Sequence, residues 1–289
     1  MLAYVIDALV HELAGWVTRL PPRQPRMDAL AAALVEEFGN RAEPVTEAGL
    51  TAIEAVAHRY CRHLTLEFHP DGDLAVDQTP PGWPLDDPDA IRRHGWPISS
   101  VRRTDDGLAV MTVDSMPAFA PSRPFVAAAI ALADGARGVA LDLRANGGGD
   151  PETVAMIVGW LRGPDQDISD VVYRDRTRHW TTPDGPTLPA DTPVVVLVSG
   201  RTYSSGEALA YHLQVRGRGL VVGQRTPGAA DHVTPVSVTP EVRAILPEAY
   251  VADSVTGGNW EGTGVRPDVE TAVGDTEAVA LAALRQAAE

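Results

Sequence analysis

The chain has 289 residues, 44% of them hydrophobic and 22% charged, which is the composition of a folded, water-exposed protein with room for two packed units. A formal net charge of −15 repels phosphate backbones, so nucleic acid is not an expected partner, and no apolar run calls for a membrane. Cys61 stands alone, which rules out an internal disulfide or a cysteine metal cluster, and all 24 basic residues are arginine, which rules out a lysine Schiff base, a P-loop lysine or a lysine general base.

Three helical patterns open the chain, over residues 2–20, 26–38 and 47–61, with Pro21 and Pro22, then Gly39 and Asn40, as stops and Thr46 as an N-cap. The first pattern is broken by Asp7, His11 and Glu12, so it reads as an amphipathic helix rather than a signal peptide, and the expected location is cytoplasmic. From His63 the period changes to two in HLTLEF, a strand, and residues 70–92, rich in Pro, Asp and Gly, read as an exposed linker. These signals divide the chain into an N-terminal helical domain, 1–70, and a second domain, 71–289.

In the second domain, strands ISSVRR and GLAVMTV flank a turn at Asp105–Gly107, and the helix PFVAAAIALAD precedes the buried strand GVALDLR. A glycine loop, a helix over about 151–161, a hairpin around PDGPT, the apolar strand PVVVLVS, the helix SSGEALAYHLQ, the strand GLVVG and a helical tail from about Thr276 follow. Strands and helices alternate, so the expectation is a mixed α/β fold with functional groups on loops that leave strand ends.

Two segments can carry chemistry. In VVVLVSGRTYSSGEALAYHLQ a buried strand turns sharply into a helix at Ser204 and Ser205, where the helix dipole and unpaired N–H groups favour a developing anion. The same serines would also serve simply as helix caps. Thr202 breaks the G-x-S-x-G elbow around Ser204, which disfavours an alpha/beta-hydrolase. In DLRANGGGDPETV, Gly147–Gly149 let backbone N–H groups approach a ligand closely, but Thr153 and Val154 break the dinucleotide-binding spacing. Local sequence does not select a base: His63 and the rivals His212 and His232 all remain open, and Glu261 in its Gly-rich loop reads equally as a solvated carboxylate.

Taken in order, DLRANGGG, VLVSGRTYSSGEALAYHLQ, GLVVGQRT and NWEGTGVRPD resemble the S41 family of tail-specific proteases, most closely the branch of the tricorn core protease and the interphotoreceptor retinoid-binding modules. The resemblance also takes in the helical start leading into RHLTLEF. It implies a three-helix N-terminal bundle followed by a ββα-repeat domain of the ClpP and crotonase type, and residues 70–136 are too few to hold a PDZ domain as well. It implies Ser204 as nucleophile, three residues before Glu207, with Gly147, Gly148 and Ser205 as oxyanion donors. The processing branch carries a lysine where this chain has Ala229; the resemblance to the tricorn-like branch instead implies a histidine as general base and a glutamate that fixes its tautomer, which correspond to His63 and Glu261. The implied activity is acyl-enzyme hydrolysis of a peptide or small acyl substrate, without metal or cofactor, and homo-oligomer formation is left open.

Two departures qualify the resemblance. Arg62 precedes His63 where a serine tunes the histidine, and a cation turned inward there would lower the pKa of the base. Pro227 and Asp231 replace glycines in the loop TPGAADHV, which implies a different substrate surface. The rival readings are a module that binds an apolar ligand without turnover, or an esterase, lactonase or cyclising enzyme acting on a small molecule.

Overall fold

The computed structural model describes residues 4–83 and 86–289; part of the first helical pattern and part of the 70–92 linker thus lie outside the described residues. The chain forms two compact units that are not contiguous in sequence. The first takes in the chain up to Trp83, Val171–Arg178 and Asp231–Val251, and the second runs from Asp86 to Asp170, with His179–Ala230 and Ala252–Glu289.

In the first unit, α1 (Ile6–Arg19), α2 (Pro25–Phe38) and α3 (Glu47–Ala57) follow the three sequence patterns. Apolar residues recur on one face of α1 at Ile6, Leu9, Val10, Leu13, Trp16 and Val17. Pro25 opens α2, and the Thr46 hydroxyl caps α3 by accepting the Gly49 N–H at 3.1 Å. The helices do not close a core among themselves. Val236, Val238, Val242, Ala244 and Leu246 complete it, from β9 (His232–Thr239) and β10 (Val242–Asp253). The short β1 (Thr65–Phe68) runs antiparallel to β10, with Thr65 opposite Ile245. The order across this sheet is β1, β10, β5 (Asp167–Val172), β6 (Thr177–Thr181), with β9 paired to β10.

The sequence differs from the structure at two points here. The third helix stops at Ala57, because the N–H groups of Arg59 and Tyr60 turn to the carbonyls of Val56 and Ala57, three residues back, and tighten the chain into a turn. The β5–β6 hairpin turns at Tyr173–Arg176, closed by the Tyr173 N–H to the Arg176 carbonyl at 2.8 Å, and the PDGPT segment is an exposed loop after β6.

The second unit is built on a six-stranded sheet in the order β11 (Val269–Glu270), β8 (Leu220–Gly223), β7 (Val194–Val198), β4 (Val139–Asp142), β3 (Ala109–Val113), β2 (Ile98–Arg103). All neighbours are parallel except β2, which pairs antiparallel with β3. Every residue of β7 is buried, as expected of a strand covered on both faces. The helices are α4 (Pro88–His94), α5 (Phe119–Ala133), α6 (Pro151–Arg162), α7 (Ser205–Val215) and α8 (Thr276–Ala287), the last packing Ala280 and Leu284 onto Leu108, Ala140, Val195 and Val222. Helix α5 begins at Phe119, five residues before the helical pattern, with Pro124 inside it. Residues 88–94, within the stretch read as linker, form α4, whose Pro88 follows an Asp87 cap.

Candidate active site

The parallel strands β4 and β7 lie side by side, Val139 opposite Val194, so the loops that leave their C-terminal ends emerge together. One carries Gly147–Gly149 and the other Ser204. Asn146, fully buried, joins the two: its side-chain NH2 donates to the Val113 carbonyl at 2.8 Å, its Oδ1 accepts the Gly148 N–H at 2.9 Å, and its own carbonyl accepts the Tyr203 N–H at 2.9 Å. Thr202 donates its hydroxyl to the Leu143 carbonyl at 2.8 Å and accepts the Ser199 N–H at 2.9 Å, so the residue that breaks the hydrolase elbow is a buried brace of this turn.

Ser204 sits at φ 49°, ψ −118°, one of two non-glycine residues with positive φ among the described residues. Such a conformation costs about 1–3 kcal/mol and persists where the surroundings impose it. Gly148 packs against it so closely that a Cβ there would lie 2.7 Å from the Ser204 Cβ and 3.2 Å from the Ser205 nitrogen. The N–H of Ser205, first residue of α7, donates to no group among the described residues, whereas its hydroxyl donates to the Gly149 carbonyl at 2.6 Å. The three glycines differ as donors: Gly147 gives its N–H to the Asp114 carbonyl at a long 3.4 Å, Gly148 gives its own to Asn146, and Gly149 has no acceptor among the described residues. The strand-to-helix turn therefore offers backbone donors beside a strained serine, the arrangement that stabilises an oxyanion.

Glu207, entirely buried, holds the turn from behind. Its carboxylate accepts the N–H groups of Ser204 (3.0 Å), Gly228 (2.7 Å) and Ala229 (2.9 Å) and the Thr226 hydroxyl (2.5 Å). Burial pushes its pKa up while these four bonds pull it down, and because every contact is a donor the ionised form is the one they fit. Sequence reading used Glu207 only to place the serine; the S-x-x-E pattern of a helix start was the signal for its structural role. Ala229, at the position of the processing-branch lysine, is buried and engages Glu207 only through its backbone. Glu261, half-buried, accepts the Ala230 N–H at 2.7 Å, and its own N–H is held by the Asn259 side chain at 2.9 Å.

The rival His212 lies buried on α7, eight residues and roughly 12 Å along the helix from Ser204. Its Nδ1 is 2.8 Å from Asp253, whose same oxygen takes an Arg216 guanidinium N–H at 2.7 Å. Burial pushes the His212 pKa down, and this trio is a structural clasp between α7 and the end of β10.

In the first unit, His63 occupies the turn after α3, two residues before β1, and is buried. Its Nδ1 stands 2.6 Å from the Asp231 carbonyl. A carbonyl only accepts, so Nδ1 carries the proton, and in the neutral ring Nε2 keeps its lone pair. Asp231 is fixed in turn by Arg26 of α2, which donates to both carboxylate oxygens at 2.8 and 2.6 Å and to the Tyr60 carbonyl at 3.2 Å. Cys61, buried, adds a thiol contact to the same carboxylate at 3.7 Å. Asp231, expected to alter a substrate surface, is thus an interior anchor, and Arg62 is exposed rather than turned inward. The other rival, His232, has its pKa lowered to about 4 by burial and by the neighbouring His63 and Arg178.

A serine at a strained strand-to-helix turn, backed by a glycine loop on a mostly parallel sheet, defines an α/β protein with Ser204 where the loops of two adjacent parallel strands meet. Residues 108–271, more than half of the chain, match peptidase family S41, and the chain belongs to that family. Over 140 residues it is 32% identical to the chloroplastic C-terminal processing peptidase of Tetradesmus obliquus, a match covering 47% of this chain and 29% of that protein. The chain thus spans under a third of the curated relative. Among solved structures, a candidate peptidase from Parabacteroides merdae aligns with a TM-score of 0.61 at 12% identity, over 96% of each chain. A lipoprotein from Streptococcus agalactiae aligns at 0.60 and 14% identity, over 99% of this chain and 98% of the other. These two likenesses establish the fold. Among the described residues no helix is long and apolar enough to cross a membrane.

Proposed function

We propose that this chain is a serine hydrolase of the lysine-independent, tricorn-like kind, with peptides as its first substrate class. The observation that carries the reading is Ser204 itself: a non-glycine residue at φ 49° beside the unengaged N–H of Ser205, with no lysine anywhere in the chain to activate it. In this reading His63, its Nδ1 held by the Asp231 carbonyl, takes the Ser204 proton at Nε2, and Ser204 attacks the substrate carbonyl. The Ser205 N–H and a glycine N–H from 147–149 hold the oxyanion, each contributing about 2.7–4 kcal/mol to the transition state. Glu261 supplies the negative charge that favours the imidazolium as it forms, and water then releases the acyl group.

The test is a fluorophosphonate probe on the purified chain, with the adduct mapped by mass spectrometry. An adduct on Ser204 is expected, absent in Ser204→Ala and formed at least roughly a thousandfold more slowly in His63→Ala. Labelling at another serine, or an unchanged rate in His63→Ala, overturns the assignment. Peptide and ester panels run on the labelled-active protein then separate a peptidase from an esterase.

A further inference from the structure

Both α6 and α7 begin at the Ser204 site, and the far end of α6, 12 residues or about 18 Å away, carries a second feature that this chemistry does not use. Arg162 closes α6, and Arg218 follows α7; the two arginines line one cleft of about 470 Å³. Its remaining wall is largely apolar, from Leu161, Leu188, Pro189 and Ala190, with the Thr187 side chain at the edge.

Arg218 is held by neutral acceptors alone: it donates to the carbonyls of Leu161 at 2.7 Å, Thr192 at 2.9 Å and Pro189 at 3.4 Å. Capping the last turn of α6 accounts for it. Arg162 is not accounted for in this way. Among the described residues its one hydrogen bond is a long 3.4 Å contact to the Arg216 carbonyl, and its buried Nε has no partner among them. A buried donor left unmade is destabilising, more so for a charged group.

Other arginines of this unit are paired with carboxylates. Arg102 and Arg144 share the carboxylate of Glu277, and Arg216 is neutralised by Asp253. Neither Arg162 nor Arg218 forms an ion pair among the described residues, in a chain with 39 acidic side chains against 24 basic ones. Burial and the adjacent cation push both guanidinium pKa values down, with no carboxylate acting in the opposite sense. The cleft is a positive, partly desolvated site for which no carboxylate among the described residues supplies the counter-charge.

We propose that this cleft binds a compact oxyanion, phosphate or carboxylate, between Arg162 and Arg218, with the apolar wall receiving the body that carries it. A planar guanidinium, with its paired N–H groups, suits either group. The inference stands independently of the chemistry at Ser204.

The experiment is isothermal titration of the full chain with sodium phosphate and, separately, sodium hexanoate, against sodium chloride at matched ionic strength. Saturable binding of at least one anion is expected, with a rise in unfolding midpoint that follows its concentration. Phosphate alone identifies a free phosphate-type ligand, and tighter hexanoate identifies a carboxylate on an apolar body. Arg162→Gln should weaken binding at least tenfold while leaving probe labelling at Ser204 within twofold. Thr187→Asp, an exposed change that places a carboxylate at the cleft edge, should do the same if Arg162→Gln does not fold. No binding beyond chloride, or wild-type affinity in both variants, overturns the proposal.

Discussion

The turn that carries Ser204 and the turn that carries His63 are built by different physics. Around Ser204 the chain supplies backbone: glycines at close approach, N–H groups gathered by Asn146 and Glu207, and a positive φ enforced by the packing, with partners 2 to 59 residues apart. Around His63 it supplies charge: Arg26 and Asp231, 205 residues apart, form a bidentate pair whose main-chain carbonyl then fixes the imidazole. A backbone-built turn tolerates side-chain change at its rim but little change in volume at its glycines. A charge-built turn fails when one partner is removed, because the other is left buried.

The largest effect expected from this contrast is at Arg26. The Asp231 side chain is 1% exposed, so Arg26→Ala takes a cation away from a buried carboxylate and should cost about 3 kcal/mol of stability, read by chemical denaturation. Arg26→Met combined with Asp231→Leu, which removes both charges, should recover most of that loss. If the single variant is as stable as wild type, the His63 turn is held by something other than this pair.

A smaller effect is expected from pH. The pKa of His232 falls from 6.5 to about 4 in the fold, so the unfolded chain takes up a proton at pH values where the folded chain does not. Stability is therefore complete above about pH 6.5 and is lost as pH falls toward 4, by up to about 3 kcal/mol. Buried His212, shifted the same way, adds to the slope. Denaturation midpoints across this window should fall less steeply in His232→Gln than in wild type; an identical slope would mean that His232 titrates normally and that its surroundings are wetter than the fold indicates.

What the sequence made legible follows the same division. The Ser204 turn could be read because its determinants are local: an all-apolar strand, a run of glycines and S-x-x-E at a helix start each have a short-range physical meaning. The placement of α6 and α7 and the parallel order of β3, β4, β7 and β8 follow from that alternation. The His63 anchor could not be read this way. An arginine in the first turn of α2 and an aspartate in a Pro/Gly loop look like solvated charges until a long-range fold buries one of them. The same blindness explains the hairpin: PDGPT has stronger turn chemistry than YRDR, yet pairing of β5 with β6 sets the turn at Tyr173–Arg176. It also explains the donors, since no sequence pattern shows that Asn146 takes up the Gly148 N–H.

The finest test lies within the glycine loop, where two adjacent residues are expected to behave differently. Gly148 has φ +96°, and an added Cβ would meet the Ser204 Cβ at 2.7 Å, the Tyr203 carbonyl at 3.1 Å and the Ser205 nitrogen at 3.2 Å. Nothing lies within 4 Å of a Cβ added to Gly147, whose φ is not in the left-handed region. Gly148→Ala should therefore cost about 1–3 kcal/mol of backbone strain, and because Ser204 must yield, slow its labelling by roughly 10- to 100-fold. Gly147→Ala should label at close to the wild-type rate and unfold at the wild-type midpoint. Equal behaviour of the two variants would mean that close approach to Ser204 is not what the loop is for. The predicted asymmetry would show instead that the strained serine is held in place by the backbone pressed against it.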